Sequence, residues 1–289
     1  MSDTLLQILK ATGARPRVTF YADGLPSDLD SGVPAVTITR PDGTTIASGT
    51  VTHVGAAGSG TYEFGLAPQA QVTLLTVTWA GPIGGVTSTL TTRVEVLGGL
   101  LFTLAAAKAW DGGAIPAAGV TDAAILDMRE LLTDDFERRC NVSFVGRFTR
   151  ETRSANGADV LLGHPRATEL LSVTVNGTAA DVADYWLDPV GVLRPRSSYV
   201  AGPAIRSGVG NLTVEYVRGM GQPPGPVQQA ALRVARALLV PSNIGDRATS
   251  ITNDAGTILL STAGRGQFQP YGIPLADSVL RAYFEPVAI

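Results

Sequence analysis

Residues 13–97 alternate between apolar and polar side chains, and that period restricts what this part of the chain can become. "RVTFYA", "AVTITR", "TIASGTVTHV", "GTYEFGL", "VTLLTVTWA" and "STLTTRVEV" place β-branched or aromatic residues at every second position. A period of two suits a strand with one buried face and cannot form the apolar stripe of a helix. Pro41-Asp42-Gly43, Gly58-Ser59-Gly60, Gly81-Pro82 and Gly84-Gly85 separate the segments. Proline presets φ and glycine accepts positive φ, so these are turns with a mechanism. Short strands at this spacing predict an antiparallel β-sandwich of immunoglobulin-like size, with Trp79 as its large buried aromatic. The chain's 33 glycines and 18 prolines fit the same reading.

Beyond Gly98-Gly99 the period changes. Leu100 to Ala109 reads as a short helix or an extended docking segment. Thr121 then caps a helix in which Ile125, Met128, Leu132 and Phe136 form one stripe, with Leu131 beside it. The Thr121 hydroxyl is placed to accept from an orphan N–H of the first turn, and Asp122 suits the positive helix end. Arg138 and Arg139 suit the negative end, and Asn141 is a left-handed stop. A second β region follows, with the hairpin signal Asn176-Gly177. "GPVQQAALRVARALLV" then returns to helical spacing: Val227, Ala230, Ala231, Val234, Ala235, Leu238 and Leu239 share one face. Pro223, Pro224 and Pro226 set its start and Pro241 its stop. Many of these residues are small, which lets a second helix approach closely. The natural partner is the helix that starts after Thr121. Near the end, Pro274 to Phe284 reads as a last short helix, preceded by a Gly/Thr/Ser-rich stretch read as mobile.

These segments predict an α+β multidomain chain: an N-terminal antiparallel sandwich, then a small helical core with an inserted β region and a C-terminal arm. The expected boundaries are an N-terminal segment 1–12, the sandwich 13–98, a linker or docking segment 99–120, a core 121–240 with its β insertion at 142–218, and an arm 241–289. At 289 residues the chain has the length for two or more domains.

Chemistry is sparse. His53 and His164 are the only histidines and Cys140 the only cysteine, so no metal-ligand spacing arises and no intrachain disulfide can form. No nucleophile elbow, Walker pattern or H-E-x-x-H is present. The glycine-rich words "GAAGSG" and "GMGQPPG" lack the dinucleotide-binding spacing and read as turns. Asp134-Asp135 are helix neighbours that do not face each other, so they read as a solvated helix end rather than a catalytic dyad. Arg147, Arg150 and Arg153 read as a solvated strand edge, with a one-faced basic strip as the sharper alternative. Net charge is −3, which argues against sequence-reading of nucleic acid. The apolar run Leu97 to Ala107 is too short to span a bilayer, and the N-terminus lacks a signal-peptide pattern. The expectation is a protein without enzymatic activity, cofactor, metal or membrane partner.

Two segments carry a resemblance. "TDAAILDMRELLTDDFERRCNVSFVGR" is similar to the first core helix and following strand of the head-to-tail adaptor (connector, or head completion) proteins of tailed bacteriophages, particularly those of actinobacterial hosts. In that family a D-x-x-I helix runs into F-E-x-x-C-G-V-x-F-V-x-R. The matching positions are Asp122, Ile125, Phe136, Glu137, Cys140, Val142, Phe144, Val145 and Arg147, with Asn141 in place of the usual glycine. The segment from Val214 to Leu239 and the tail resemble the second core helix and C-terminal arm. The sandwich resembles an added immunoglobulin-like module.

The resemblance implies a structural virion protein, siphovirus-like, at the virion neck and assembled in the host cytoplasm. It implies a ring, a dodecamer in the family, that docks beneath the portal protein, extends the DNA channel and recruits the next tail-side neck or tail-terminator protein. DNA would be passing cargo without sequence-specific contact. Ile125, Leu132, Phe136, Val227, Ala231, Val234 and Leu238 become candidates for subunit packing. Tyr271, Ile273, Leu275, Val279, Leu280, Tyr283 and Phe284 become candidates for a portal-docking arm. Arg233 and Arg236 become candidates for lumen or interface charges. The alternative is a decoration or adhesin module that binds glycans or a host surface through the sandwich, a reading supported by the sandwich and Trp79.

Overall fold

The computed structural model describes residues 5–47, 51–116, 119–155, 159–196, 208–240, 250–253, 256–259 and 270–284. The fold is α+β, mostly antiparallel sheets with a few helices and an N-terminal β-sandwich. The chain divides into two compact units, and neither is continuous in sequence. One joins Met1–Gly99 to Val145–Gly221; the other joins Leu100–Phe144 to Gln222–Ile289.

The first unit opens with strands β1 (Leu5–Leu9), β2 (Arg17–Thr19), β3 (Tyr21–Ala22), β4 (Leu25–Pro26), β5 (Ala35–Thr39), β6 (Thr45–Ala47), β7 (Val51–Val54), β8 (Thr61–Phe64), β9 (Thr73–Ile83) and β10 (Val86–Leu97). One sheet runs β1-β10-β9-β5-β6 and the other β2-β8-β7. Their inner faces close on Phe20, Ile38, Tyr62, Leu75, Val77, Trp79, Val94 and Val96. Trp79 is 0% exposed, and its indole N–H donates to Thr92 Oγ1 at 2.6 Å. The large aromatic predicted for this core is therefore both buried and satisfied.

Three details depart from the sequence reading. β1 pairs parallel with β10, placing Leu5 opposite Arg93 and Leu9 opposite Leu97, where the sequence offered only an N-terminal segment. Gly81-Pro82 is no turn: β9 runs through both, and the Leu29 side chain sits only 2.4 Å from where a Gly81 Cβ would be. The glycine makes room for packing there, and the reversal falls on Gly84-Gly85, both at positive φ. Finally, "TIASGTVTHV" is two strands in different sheets, β6 in the larger and β7 in the smaller.

The inserted β region comprises β11 (Arg147–Ala155), β12 (Val160–Leu161), β13 (Ala167–Val175), β14 (Thr178–Ala180), β15 (Tyr185–Asp188), β16 (Val192–Pro195) and β17 (Gly208–Arg218). Its sheets are β11-β17-β13-β14 and β12-β16-β15. Asn176 and Gly177 turn the β13–β14 hairpin with φ of 51° and 78°, the left-handed pair that Asn-Gly signals. Tyr185, Leu193, Leu212, Val214 and Tyr216 centre its core.

This region joins the sandwich. Arg147 Nη1 donates to both Glu95 carboxylate oxygens, at 3.0 and 2.7 Å, with both side chains buried. Gln7 Nε2 also donates to Glu95. Gly98 N donates to Gly146 O at 2.8 Å, and Gly146 N to Gly221 O at 3.3 Å. A Cβ on Gly98 would lie 3.2 Å from the Gly146 Cα, a tight contact that the neighbouring backbone would have to yield to.

The second unit holds α1 (Leu104–Ala109), α2 (Asp122–Cys140), α3 (Gly225–Leu239), β18 (Ser250–Asn253), β19 (Gly256–Leu259) and α4 (Pro274–Ala282). Of Leu100 to Ala109, read as a short helix or an extended docking segment, Leu104–Ala109 is a helix capped by Thr103. α3 packs on α2, and α4 packs on both. Among the described residues no helix is long and apolar enough to cross a membrane. The stretch read as mobile falls largely outside the described residues.

Candidate functional site

The helices of the segments that carry the adaptor resemblance meet in the second unit, around the C-terminal half of α2, while Val145–Arg147 and Val214–Gly221 belong to the first. Thr121 Oγ1 accepts from Ala124 N and fixes the start of α2. Asn141 ends it at φ 55° and donates its backbone N–H to Glu137 O. Glu137 Oε1 then accepts from Phe144 N at 2.8 Å. The F-E-x-x-C word is therefore a helix end whose side chains also organise the exit. Phe136 and Cys140 point inward and Glu137 holds the following loop.

α4 lies against this end. Tyr271 packs on Phe136 with ring centroids 5.5 Å apart, and Tyr283 meets Phe144 edge to face at 5.7 Å. The Cys140 thiol donates to Leu280 O at 3.4 Å. Burial pushes the thiol pKa up to about 11, with the Arg139 charge pulling slightly the other way. It is an inert packing thiol rather than a nucleophile.

Asp135 is the polar centre of the contact. It accepts from Tyr271 Oη, from Arg138 and from Arg139 Nε, the last at 2.6 Å. The Arg139 guanidinium also lies 5.4 Å from the Tyr271 ring centre. Burial alone would raise the Asp135 pKa, but the bonds from Arg139, Tyr271 and Arg138 together hold it below the usual range. Burial, and then the bond to Asp135, push the Tyr271 phenol the other way. The solvated helix end expected at Asp134-Asp135 is thus corrected for Asp135, which latches the C-terminal segment. No sequence signal could have shown this, because its partner is 136 positions away.

Six of the seven packing candidates, Ile125, Leu132, Phe136, Val227, Ala231 and Val234, are buried within this unit. These apolar side chains are spent on the unit's own core. Leu238 is 54% exposed and keeps surface for a neighbour. Of the arm candidates, Leu280 is buried, Tyr271, Ile273, Val279 and Tyr283 are half-buried, and Leu275 and Phe284 are exposed. Arg233 and Arg236 project from α3 into solvent. Arg233 lies 5.9 Å from the Trp110 ring centre, and Trp110 Nε1 donates to Gln229 Oε1 at 3.0 Å.

Elsewhere, polar groups serve the fold. Asp28 accepts from His53 Nε2 at 2.7 Å and from Gly58 N and Gly60 N at 2.6 and 2.8 Å. Ser59 Oγ also meets His53 Nε2, at 3.2 Å. Aspartate and serine share one ring nitrogen, so the imidazole cannot pass a proton between them as a triad would. "GAAGSG" is a turn that cradles this protein's own carboxylate. His164 Nδ1 faces Arg218 Nη1 at 3.2 Å, and burial followed by that charge lowers its pKa. β11 is an edge strand with Arg150 exposed, but Arg147 is buried, so the solvated edge is corrected there, and the acids that pair with all three leave no basic strip. Arg147 binds Glu95, Arg150 reaches Pro41 O and Glu215, and Arg153 pairs with Glu151. Trp79 offers no ring face to a sugar. No group of three or more His, Cys, Asp or Glu that could hold a metal ion occurs among the described residues.

No family model matches the chain, and no curated protein matches it either. Among solved structures, the neck of an empty GTA particle, computed with C6 symmetry, aligns over 65% of this chain and 92% of that one. The identity is 14% and the TM-score 0.42. A DUF4785 family protein from Legionella pneumophila aligns over 76% of this chain and 43% of that one, at 9% identity and a TM-score of 0.24. Likenesses this loose carry no argument about what the chain does.

Proposed function

We propose that this chain is a non-enzymatic head-to-tail adaptor of a tailed phage or phage-like particle, located in the virion neck. Copies stand side by side in a ring, dodecameric as in the family it resembles. The ring docks beneath the portal, continues the DNA channel and recruits the next neck or tail protein. It assembles in the host cytoplasm, and the sandwich is an immunoglobulin-like addition to the ring body.

One observation carries the reading. The two segments with the adaptor resemblance lie on either side of the β region in sequence, yet α2, α3 and α4 close into a single helical unit. Three supports accompany it. The polar clusters described above are used up inside the fold. The net charge of −3 suits a channel that must release DNA, since many phosphate contacts would hold it. Leu275 and Phe284 leave apolar surface on the C-terminal segment, a place for a partner to bind.

Negative-stain microscopy of the protein mixed with the portal of the same particle tests this, together with labelling of the protein in intact necks. The expected result is a ring coaxial with the portal. A chain that stays monomeric with portal present and is absent from labelled necks overturns the proposal.

A further inference from the structure

α2 buries a charge that forms no ion pair with any described residue. Its inward face carries Ile125, Arg129, Leu132, Thr133, Phe136 and Cys140. Arg129 therefore stands within the apolar stripe and is only 7% exposed. Its Nε is buried without a hydrogen-bond partner. Its guanidinium forms no ion pair or hydrogen bond with any described residue, whereas nearby Arg138 and Arg139 both bind Asp135. Burial lowers its pKa, and among the described residues only the charge of Glu130, its neighbour in the chain, acts against that. A buried guanidinium without a counter-charge is costly, and proteins keep such charges paired. Its flat fork matches a carboxylate.

The same helix offers the complementary group on its other side. Asp127 is exposed and pairs with nothing among the described residues. Two residues along a helix is about 200° of rotation, so Asp127 projects away from Arg129. A ring is built from head-to-tail contacts between two different faces of one subunit. A receptor on one face of α2 and a free acid on the other is that arrangement in charge.

We propose that Arg129 is the receptor of a subunit contact, and that its ligand is the Asp127 carboxylate of a second copy of this chain. This rests on the ring reading above and assigns the pair that closes each junction. Leu131 and Leu238, exposed on α2 and α3 at 58% and 54%, supply apolar surface on the same unit.

Sedimentation of the full-length chain over a concentration series tests the proposal, using wild type, Arg129→Met, Arg129→Lys and Asp127→Asn. Truncating one partner of a buried pair should weaken self-association by about 30-fold or more. Arg129→Met should do so while the monomer's melting temperature holds or rises, because an orphan buried charge is removed. Arg129→Lys keeps the charge without the fork and should be intermediate. An equimolar mixture of Arg129→Met and Asp127→Asn has one intact junction per pair, so it should stop at dimers. If wild type assembles and Arg129→Met assembles equally well, the pairing is wrong and the ring reading survives. If Arg129→Met melts far lower with association unchanged, Arg129 is satisfied within its own chain and the proposal fails. It fails also if inorganic phosphate stabilises wild type but not Arg129→Met while neither variant changes association, since the site then takes a free oxyanion. A wild-type chain that is monomeric throughout overturns the pairing as a self-association contact, and the ring reading is then decided by the portal experiment.

Discussion

Glu95 and Arg147 bring opposite charges into a region that excludes water, and each is tolerable only because the other is there. Removing one side leaves an uncompensated buried charge, which costs about 3–5 kcal/mol, whereas replacing both with apolar residues of similar volume is close to neutral. Arg147→Met should therefore destabilise the first unit by about 3 kcal/mol, and adding Glu95→Leu should recover part of it. A double-mutant cycle in denaturant reads this directly, and strict additivity of the two losses would refute it. Asp28 gives a pH-dependent test. Bonds from Gly58, His53 and Gly60 lower its pKa from 3.8 to about 2. A depressed carboxylate stabilises the fold above its unfolded pKa, and that contribution is lost as pH falls through the folded value. Thermal stability should therefore drop between pH about 4 and about 2, and Asp28→Asn should flatten the drop in that window. Neither site was legible in the sequence. Arg147 reads as one of three arginines on a strand, and nothing near it names Glu95 as its partner.

Helix α2 was legible because its determinants are local. Thr121, Asp122, the stripe and Asn141 each act within a turn of their own position, so the pattern and the physics coincide. The hairpin at Asn176-Gly177 was legible for the same reason. The parallel seat of β1 on β10 was not, since a strand's partner leaves no mark on the strand. Gly81-Pro82 misled because a glycine that admits a neighbour's side chain has the same letter as one that turns the chain. The latch between α4 and α2 belongs with the illegible part, and it is directly testable. Cys140 lies under α4 with its thiol held to Leu280 O, and its raised pKa leaves little thiolate near neutrality. Reagent can reach it only when α4 lifts. Leu280→Ala removes a buried side chain, at a cost of about 2–5 kcal/mol, so thiol labelling should speed by more than tenfold. Tyr271→Phe deletes the hydrogen bond to Asp135 while keeping the ring on Phe136, and should speed it by a smaller factor. Equal labelling rates in all three proteins would show that opening elsewhere controls access to the thiol.

At the scale of the whole molecule, the chain passes from one unit to the other after Gly99, Phe144 and Gly221, and each unit has core residues of its own. The first unit has a core around Trp79 and Tyr62 in the sandwich and another around Tyr185 and Tyr216 in the β region; the second holds Phe136, Phe144, Leu132 and the small residues of α3. The sequence marked the glycines at these crossings as breaks, but not that the β region would return to the sandwich rather than stay with the helices. That choice rests on contacts such as Glu95 with Arg147, far apart in the chain. Because cooperativity follows packing rather than chain order, unfolding should follow the discontinuous units and not a sandwich-then-core division. Arg147→Met should lower one calorimetric transition and Leu280→Ala the other. In the double variant the two losses should add to within about 0.5 kcal/mol, as independent sites do. If the sandwich instead melted apart from the β region, Arg147→Met would split its transition in two. If the entire chain were one cooperative block, both variants would move the same peak. Only two peaks, each answering to one substitution, match a molecule whose β region unfolds with the sandwich while the helical unit keeps its own stability.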